Sequence, residues 1–525
     1  MHVRPVPLSA STKNIRQDYL SGAQSLSPFY QYAVQNPDFK QVIADKSKQD
    51  VDRETLVSVI RQQYEGLETS ELTQRNIDLL LQPSTFTITT GHQLCLMGGP
   101  MFTTYKVLST IKLAEQLSSA MGDFQVVPIF WIHTEDHDFE EINHFFQSFG
   151  AKKTYRGAFE GMVGNHILTE EILDLLPEDL DESLKEAFKP GRTLADAYRR
   201  FMNELFGKYG IVMLDASDAR LKATFAPVLR AELREMAGFQ AVNQTSGQMA
   251  AAGYPLQISP REVNLFYLDE TGRNRIVPEN GHFSVLNREY HWDHGQWEQL
   301  IEDEPNRFSP NVSLRPLYQE WILPNLAYIG GWGELSYWLQ LRGIFERFEV
   351  NFPVLLPRFN ATLFTAEQAQ AWKELGFEWE DIRQPLHKLY DQYLPKVWDS
   401  QVFDEMETQI VELLGQFTDY IDQEISPTLA RSGDALKTKN VKYLQNLRKK
   451  AGKVFRANNR EPFERIEEVK SQVQPDGLVQ ERLLGLLGFE GYTPQNIVDF
   501  VYPHVDPLNF EHQFLVLPPV SGETV

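Results

Sequence analysis

The sequence predicts an α/β protein built on a parallel sheet and followed by a long helical hairpin. Short apolar runs between residues 84 and 357 have the composition of strands that are buried on both faces. Glycine-rich turns and segments of helical spacing separate these runs, which is the pattern of right-handed βαβ units. From about residue 371 the spacing changes to a heptad repeat, which predicts paired helices.

The predicted core domain covers residues 1–370 and starts with helices, since residues 56–67 and 72–82 place apolar side chains three and four apart. The first βαβ unit comprises a strand over 84–90, a turn over 91–100, a helix from about 103 to 119 and a strand over 126–134. Further strands are predicted over 211–217, 325–331 and 352–357, with a helix over 334–348. Chemistry in such a sheet lies at the carboxyl ends of the strands, here the turns after Thr90, Trp131 and Ile329.

Two segments read as insertions into this sheet. Residues 150–205 are polar and helix-prone, and residues 255–308 include a hairpin around Thr271-Gly272. Residues 371–475 are predicted to form an antiparallel α-helical coiled coil. Residues 476–525 are predicted to form a short helical tail that packs back on the core.

The coiled-coil prediction depends on apolar residues that alternate steps of three and four. The first helix carries Phe403, Met406, Ile410, Leu413, Phe417 and Tyr420, and the second carries Leu436, Asn440, Leu444, Leu447, Ala451 and Val454. A hairpin of this length usually packs on something, so we expect it to form a homodimer.

Composition limits the class of protein. The 525 residues include 50 Lys and Arg against 72 Asp and Glu, which gives a formal net charge of −22. A hydrophobic share of 42% is that of a globular protein, here with room for about two to four domains. The single cysteine excludes an intramolecular disulfide and a Cys-rich zinc site.

The same numbers bear on partners and location. A strongly acidic chain argues against a large nucleic-acid interface, and no apolar stretch is long enough to cross a membrane. The N-terminal segment MHVRPVPLSASTKN lacks the apolar core of a signal peptide, so we expect a cytoplasmic protein.

The first candidate site is the turn that contains Gly91, His92, Gln93, Gly99 and Pro100. Glycines let a ligand approach the backbone, and the following helix N-terminus favours a phosphate or carboxylate. His92 could donate a hydrogen bond to a phosphoryl oxygen. The alternative is a structural turn with a hydrogen-bonded histidine, and Cys95 reads more readily as a packed side chain than as a nucleophile.

The second candidate site follows the strand that ends near Trp131. Residues 133–141 contain five carboxylates and two imidazoles, among them Asp136, His137 and Asp138. This set could bind a metal, hold an ammonium group or supply a general base. The alternative is a solvated acidic loop, and no HExxH spacing supports a metal, so no metal ligand is assigned.

The third candidate site combines several polar segments. Asn311 and Arg315 precede a Gly-rich turn with Gly330, Gly331 and Gly333, and the next helix carries Glu334, Tyr337, Trp338 and Gln340. Glu334 could grip a cationic amine or simply favour the helix N-terminus. Arg315 could clamp a carboxylate or pair with a local acid.

A basic stretch, residues 437–460, is either a solvated helix face or a phosphate-binding surface.

Taken together, these motifs resemble the BshC family, the cysteine ligases of bacillithiol biosynthesis. The motifs that carry the resemblance are GHQ…GGPMFTTYK (91–106), VPIFWIHTEDHDFEEINH (127–144), SPNVSLRPL (309–317), LPNLAYIGGWGELSYWLQL (323–341), FPVLLPR (352–358) and the C-terminal GLVQERLLGLLGF. The resemblance implies a Rossmann-like core of the class I aminoacyl-tRNA synthetase type, with connecting-peptide insertions and a dimerising coiled coil. Leu94 and Cys95 stand where the family usually has Pro-Gly.

The resemblance also implies an activity, which is addition of L-cysteine to the glucosamine amine of glucosaminyl-malate. ATP is the expected activating nucleotide, with Mg²⁺ as its companion ion, and whether ADP or AMP is released stays open. We expect catalytic roles for His92, Asp136, His137 and Asp138. Nucleotide binding is expected at Gly91, Gly99, Pro100, Gly330, Gly331 and Gly333. Substrate contacts are expected from Gln93, Tyr105, Asn311, Arg315, Glu334, Tyr337, Trp338 and Gln340, with Arg315 a candidate for the malate carboxylates.

Two other functions stay open from the sequence. One is a metal-dependent hydrolase that uses the TEDHD loop, and the other is a non-catalytic coiled-coil scaffold on a nucleotide-binding fold. A tRNA-charging enzyme is the least favoured, because the net acidity and the absence of a KMSKS-like segment oppose it.

Overall fold

The computed structural model describes residues 13–159, 161–279 and 282–520, and it divides the chain into two compact units. The first unit runs to Ala361 and also includes Glu481–Gln513, whereas the second contains Thr362–Gln480 and the residues from Phe514. The N-terminal residues 1–12, on which most of the argument about a signal peptide rests, lie outside the described part.

The strands, in chain order, are β1 (Thr85–His92), β2 (Gln125–Ile132), β3 (His144–Ser148), β4 (Ala151–Thr154), β5 (Val212–Asp215), β6 (Leu265–Asp269), β7 (Gly272–Glu279), β8 (His282–Val285), β9 (His291–Trp292), β10 (Phe308–Pro310), β11 (Asn325–Gly330), β12 (Val354–Pro357), β13 (Ala361–Phe364) and β14 (Gln513–Val516).

The α-helices are α1 (Ile15–Ser21), α2 (Phe39–Lys46), α3 (Arg53–Gln63), α4 (Glu71–Leu79), α5 (Met101–Met121), α6 (Phe139–Ile142), α7 (Glu182–Ala187), α8 (Leu194–Phe206), α9 (Ala219–Thr224), α10 (Ala226–Glu235), α11 (Ala237–Ala251), α12 (His294–Asp303), α13 (Arg315–Ile322), α14 (Trp332–Gln340), α15 (Arg342–Arg347), α16 (Ala366–Glu374), α17 (Leu386–Val397), α18 (Gln401–Tyr420), α19 (Ala430–Asn458), α20 (Arg460–Val473), α21 (Gln480–Leu483) and α22 (Pro494–Val501).

The centre of the first unit is a five-stranded parallel sheet in the order β12-β11-β1-β2-β5. Its strands are buried almost throughout, as their apolar and β-branched composition predicts. In register, Gly91 lies beside Trp131 and Gly330 beside Pro357, so the strands end along one edge. The predicted α/β class, the parallel sheet and its strands are confirmed.

The predicted helix over 334–348 is two helices, α14 and α15, and a continuous helix was the wrong expectation. The chain turns at Leu341, whose N–H donates to the Trp338 carbonyl three residues back and not four. The second helix packs against α11 through Gly343, where a Cβ would overlap Thr245 Oγ1. The break at Leu341 thus lets α15 pack closely on α11.

Residues 255–308 form an antiparallel sheet in the order β10-β6-β7-β8-β9. The expected hairpin is present: Asp269 pairs with Gly272, and the turn is Glu270–Thr271. Gly272 has φ +117, which favours glycine at that position. The sheet matters for the site because Arg273 is the second residue of β7 and β10 pairs with β6.

The second unit contains a core and a hairpin. Its core is formed by buried apolar side chains from β13, α16, α17 and α20, among them the fully buried Trp372. Helices α18 and α19 pack antiparallel, since Arg448 near the end of α19 pairs with Asp404 near the start of α18. The helical coiled-coil region predicted from the heptads is confirmed.

The predicted heptad seam is only partly covered within this hairpin. Thr418 is buried on the shared face, whereas Met406 and Leu413 are 57% and 66% exposed. On α19, Tyr443 and Leu447 are likewise exposed. In the part of the chain that the structure describes, no helix is both long and apolar enough to cross a membrane.

Candidate functional site

The carboxyl ends of β1 and β2 place two histidines side by side. A Cβ at Gly91 would lie 3.0 Å from His133 Nε2, so only glycine fits beside that ring without a shift. His92 packs its ring edge-on against Phe102, with 5.0 Å between ring centroids. Burial, helped by the nearby Lys106 ammonium, lowers the pKa of His92 to about 3. The ring is therefore neutral at physiological pH and can donate or accept a hydrogen bond without carrying charge.

Cys95 lies next to His92, with its Sγ 3.7 Å from His92 Nε2. Burial raises the pKa of the Cys95 thiol to about 12, so the side chain is a thiol and not a thiolate. The structure thus favours the reading of Cys95 as a packed side chain in the turn. Gly99 takes φ +74, and a Cβ there would lie 2.8 Å from Cys95 Cβ.

Lys106 on α5 is a central residue that the sequence argument did not single out. Its ammonium is buried, 2.6 Å from Glu334 Oε1, and it also donates to the Gly91 carbonyl at 3.1 Å. Glu334 Oε2 accepts from the Gly331 N–H at 3.1 Å. Burial raises the pKa of Glu334, but Lys106 outweighs it and leaves that pKa below its usual value.

The expectation that Glu334 grips a substrate amine is therefore not what the geometry shows. The amine against this carboxylate is the chain's own Lys106, and the carboxylate also caps α14. The pair joins the ends of β1 and β11. The signal in the sequence was a lysine in a mostly apolar helix, because a lysine that is buried needs a partner.

The loop after β2 is held by the turn after β1. Gln93 Nε2 donates to Asp136 Oδ2 at 2.9 Å and to Glu141 Oε2 at 2.8 Å, and the His137 N–H donates to Asp136 Oδ1 at 2.8 Å. Burial would raise the pKa of Asp136, but these hydrogen bonds and the Arg273 charge lower it overall. Asp136 is thus an ionised carboxylate at the end of the sheet. The His137 side chain is about half exposed beside it.

Glu135, the neighbour of Asp136, has a structural setting. It pairs with the buried Lys222 at 2.8 Å and accepts from Ser309 Oγ at 2.7 Å. This fixes β10 against the loop after β2. Among the described residues, no group of three or more His, Cys, Asp or Glu is placed to hold a metal ion.

A cavity of about 560 Å³ opens beside these residues. Its walls come from the turn after β1 with the start of α5, from residues 138–146 and from residues 482–485 near the end of the chain. The lining residues are His92, Gln93, Cys95, Gly99, Pro100, Phe102, Asp138, Glu140, Glu141, His144, Phe145, Phe146, Arg482, Leu483 and Gly485. The space is large enough for a small-molecule substrate. Its position beside Gln93 and His92 makes it the candidate active-site cavity.

The C-terminal segment supports the turn that carries Gly99 and Pro100. Gly485 forms an antiparallel bridge with Pro100, and the Met101 N–H donates to the Leu484 carbonyl at 2.7 Å. A Cβ at Gly485 would overlap the Gly99 carbonyl oxygen. Nothing in the local sequence around residue 485 indicates this contact, because it joins positions almost four hundred residues apart.

The remaining predicted residues divide into two groups. Arg315 lies at the end of the sheet with Tyr337 beside its guanidinium, and Asn311 holds the adjoining loop by donating to Asn264 at 2.9 Å. Gly333 faces open space at the start of α14, whereas Gly330 packs against Leu335.

Three predicted substrate contacts are buried and do not reach this edge. Trp338 stacks on Tyr328 with 4.5 Å between ring centroids, and Tyr105 donates to the Ala361 carbonyl at 3.3 Å. Gln340 accepts from the Gln257 and Ile258 N–H groups. The polar atoms of Tyr105 and Gln340 bond to the protein itself, and Trp338 is fully buried, so these side chains belong to the core.

Comparisons with known proteins agree with this architecture. A family model described as the N-terminal Rossmann-like domain of "Bacillithiol biosynthesis BshC" matches residues 1–359, and the corresponding C-terminal coiled-coil domain matches 361–517. Proteins named "Putative cysteine ligase BshC" include one from Cytophaga hutchinsonii, 34% identical over 94% of this chain and 95% of its own. Another, from Christiangramia forsetii, is 36% identical over 95% of this chain and 96% of its own.

A solved structure described as a "putative arginyl t-RNA synthetase" from Campylobacter jejuni covers 77% of this chain and 96% of its own. Its sequence identity is 11% and its TM-score is 0.21, so it carries no argument about this chain.

Proposed function

Because the chain belongs to the BshC family of bacillithiol biosynthesis, we propose that it is a ligase that joins cysteine to an amino sugar. The proposed reaction forms an amide between the cysteine carboxyl group and the glucosamine amine of glucosaminyl-malate. The relatives' name supports the cysteine, and the family description supports the pathway.

The chemistry needs an activated carboxyl group, for which we propose ATP with Mg²⁺. The cysteine carboxylate attacks a phosphorus atom of ATP, giving either an acyl-adenylate and pyrophosphate or an acyl phosphate and ADP. The sugar amine then attacks the acyl carbon, the bond from that carbon to the phosphate oxygen breaks, and AMP or phosphate leaves. The amine loses one proton in this step, so a base near it is required.

Asp136 has the properties of that base or of an anchor for the ammonium form of the amine. It is an ionised carboxylate whose position is fixed by Gln93 and by the His137 backbone. His92, as a neutral imidazole, fits a hydrogen-bond donor to an oxygen that gains charge. Gly91 and Gly99 allow the backbone of the same turn to approach a ligand closely.

A single observation supports this arrangement most strongly. Gln93, directly after β1, bonds both to Asp136 in the loop after β2 and to Glu141 on α6. Gln93 and Glu141 border the cavity of about 560 Å³. An acyl-activating turn and a proton-accepting loop would need this proximity. In the hydrolase alternative Glu135 would be a free acid of the TEDHD loop, but Lys222 and Ser309 already engage it.

We also propose that the chain forms a homodimer through the hairpin of α18 and α19. Apolar side chains of both helices, among them Leu413 and Tyr443, remain exposed on it. Exposed apolar side chains in a heptad pattern are the usual surface of a coiled-coil partner.

The test is a mass-spectrometric assay of the purified protein with cysteine and glucosaminyl-malate, with and without Mg-ATP. The proposal expects ATP-dependent bacillithiol with a stoichiometric nucleotide product, and AMP or ADP identifies the activated intermediate. Asp136→Asn should lower kcat/KM at least about 100-fold. The control, Glu170→Gln in an exposed part of the 150–205 insertion, should match the wild type.

Two results would contradict the proposal. Tight substrate binding without product from the wild type would favour the scaffold alternative. Wild-type turnover in both Asp136→Asn and His92→Asn would remove these residues from the mechanism.

A further inference from the structure

A second, small cavity of about 50 Å³ lies at the ends of β2 and β5. Side chains from four parts of the first unit meet there: the loop after β2, the loop after β5, the start of β7 and the start of α13. The polar ones are His133, Thr134, Glu135, Asp136, Asp215, Ser217, Arg273, Arg315 and Tyr318. No sequence motif singles out Arg273.

The three carboxylates in this wall are already engaged. Asp136 accepts from Gln93 and from the His137 backbone. Asp215 accepts from Thr134 Oγ1 at 2.7 Å and from the Ser217 N–H at 3.0 Å. Glu135 is paired with Lys222. The acidic side of the cavity therefore has its partners within the protein.

On the basic side only some of the donors have a partner within the protein. Arg273 donates from Nη2 to the Pro310 carbonyl, and Arg315 donates from Nη1 at 3.1 Å to Gln319. Two buried guanidinium nitrogens, Arg273 Nε and Arg315 Nη2, have no hydrogen-bond acceptor, and the neighbouring His133 Nε2 has no hydrogen-bond partner. Within the described residues, no carboxylate lies within ion-pair distance of either guanidinium. Burying such donors unpaired is costly, which indicates that something else supplies the acceptor.

The two guanidinium groups are also held in place. The Arg273 group lies over the Phe266 ring at 4.4 Å from its centroid. The Arg315 group lies 5.9 Å from the centroids of both Trp131 and Tyr328. Rings that fix the planes of two arginines preorganise their N–H groups for a flat, two-oxygen acceptor.

We propose that this cavity is a carboxylate-binding pocket, in which Arg273 and Arg315 hold a carboxylate of the acceptor substrate. A space of about 50 Å³ is far smaller than the cavity of about 560 Å³, so it suits a single carboxylate better than a sugar ring or a nucleobase. Asp136 borders the same pocket, so an acceptor anchored here would present its amine close to the proposed base. The inference rests on the proposed function for the identity of the acceptor, but not for the pocket itself.

The experiment has a binding arm and a kinetic arm. In the first, the melting temperature of the full-length protein is measured with L-malate, with its uncharged diamide and with inorganic phosphate. In the second, KM for glucosaminyl-malate and kcat are measured. The variants are Arg273→Gln, Arg273→Lys and Arg315→Gln. The matched control is Arg275→Gln, which makes the same change at an exposed position of β7.

We expect malate, and not its diamide, to raise the melting temperature of the wild type and of Arg275→Gln. The shift should disappear in Arg273→Gln and Arg315→Gln, and KM should rise at least tenfold with kcat within about threefold. Arg273→Lys keeps the charge and loses the planar fork, so it should show a partial effect even if the Gln variant folds poorly. An Arg273-dependent response to phosphate instead of malate would overturn the proposal.

The two proposals fail separately. If no variant and no wild type makes amide but the malate shift still requires Arg273, then the ligase proposal fails and the pocket stands. If amide forms, but the Arg273 and Arg315 variants keep the KM and the malate-induced melting shift of the wild type, then the pocket proposal is wrong and the ligase proposal stands.

Discussion

The His92 ring is polar and buried, and this makes the free energy of unfolding depend on pH. Its pKa is about 3 in the folded protein and about 6.5 in an unfolded chain. Between these values the unfolded chain binds a proton that the folded one does not, so the free energy of unfolding falls as the pH falls. This residue alone contributes a slope of up to about 1.4 kcal/mol per pH unit.

We expect His92→Asn to show a shallower loss of stability than the wild type between pH 7 and pH 5. The measurement is denaturant unfolding of both proteins across that range, with comparison of slopes and not of absolute values. The control is the exposed His504→Asn, whose curve should run parallel to the wild type. A His92→Asn curve that is also parallel would contradict the buried, neutral imidazole.

Individual residues of the candidate site could be predicted only where they directly follow a strand in the sequence. His92, Gln93 and Asp136 follow strands directly, so their position at the sheet edge could be inferred from the strand pattern. Tyr105, Trp338 and Gln340 also carry polar atoms that could contact a substrate. They lie on the buried faces of their helices, however, so they belong to the core. Arg273 could not be found from sequence, because only the pairing of β6 with β7 and β10 brings it to Pro310.

Among the elements, the segment after α21 supports the turn that carries Gly99 and Pro100. Gly485 lies so close to the Gly99 carbonyl that a methyl group has no room. We expect Gly485→Ala to displace the Gly99-Pro100 turn, to destabilise the protein by about 1–3 kcal/mol and to lower kcat at least tenfold. The measurements are melting temperature and steady-state kinetics.

The matched control is Gly150→Ala, since a Cβ at Gly150 meets nothing within 4 Å. It should leave both kinetics and stability close to the wild type. Normal kcat in Gly485→Ala would mean that the turn tolerates displacement and that the segment only covers it.

The hairpin of α18 and α19 shows what a heptad pattern can and cannot predict. It predicted two helices, but one hairpin covers only one face, so Leu413 and Leu447 stay exposed. We expect Leu413→Glu combined with Leu447→Glu to convert a dimer to a monomer, because a charge cannot be buried in an apolar coiled-coil seam. Light scattering after size-exclusion chromatography measures this.

The control for the hairpin is the double variant Gln409→Glu with Gln416→Glu. It adds the same number of charges at exposed polar positions of α18. This double variant should keep the mass of the wild type. A monomeric wild type at micromolar concentration would contradict the dimer proposal directly.

At the scale of the whole molecule, the strands could be located from sequence but their order could not. Apolar runs mark β1, β2, β5, β11 and β12 because each is buried on both faces. The order β12-β11-β1-β2-β5 requires that β11, more than two hundred residues later, pairs beside β1. Pairing at that distance depends on helix and sheet packing that no local pattern records.

The first unit is likewise closed by residues from a distant part of the chain. Arg358 follows β12, and its guanidinium makes two hydrogen bonds to Glu481, at 2.9 and 2.7 Å, with side chains only 10% and 9% exposed. Removing one charge from a buried pair leaves the other uncompensated. We therefore expect Glu481→Gln to destabilise the first unit by roughly 3 kcal/mol.

The readout for that pair has to be local, because the chain contains a second unit with its own core. Hydrogen exchange should accelerate in Glu481–Gly488 and around Arg358 in the Glu481→Gln variant, while α18 and α19 exchange as in the wild type. Glu490→Gln, an exposed position in the same C-terminal segment, is the control and should change neither. The double variant Arg358→Gln with Glu481→Gln should be no less stable than Glu481→Gln alone, since it carries no unpaired buried charge. If it is clearly less stable, Arg358 has another anionic partner, and the closure of the first unit does not depend on Glu481.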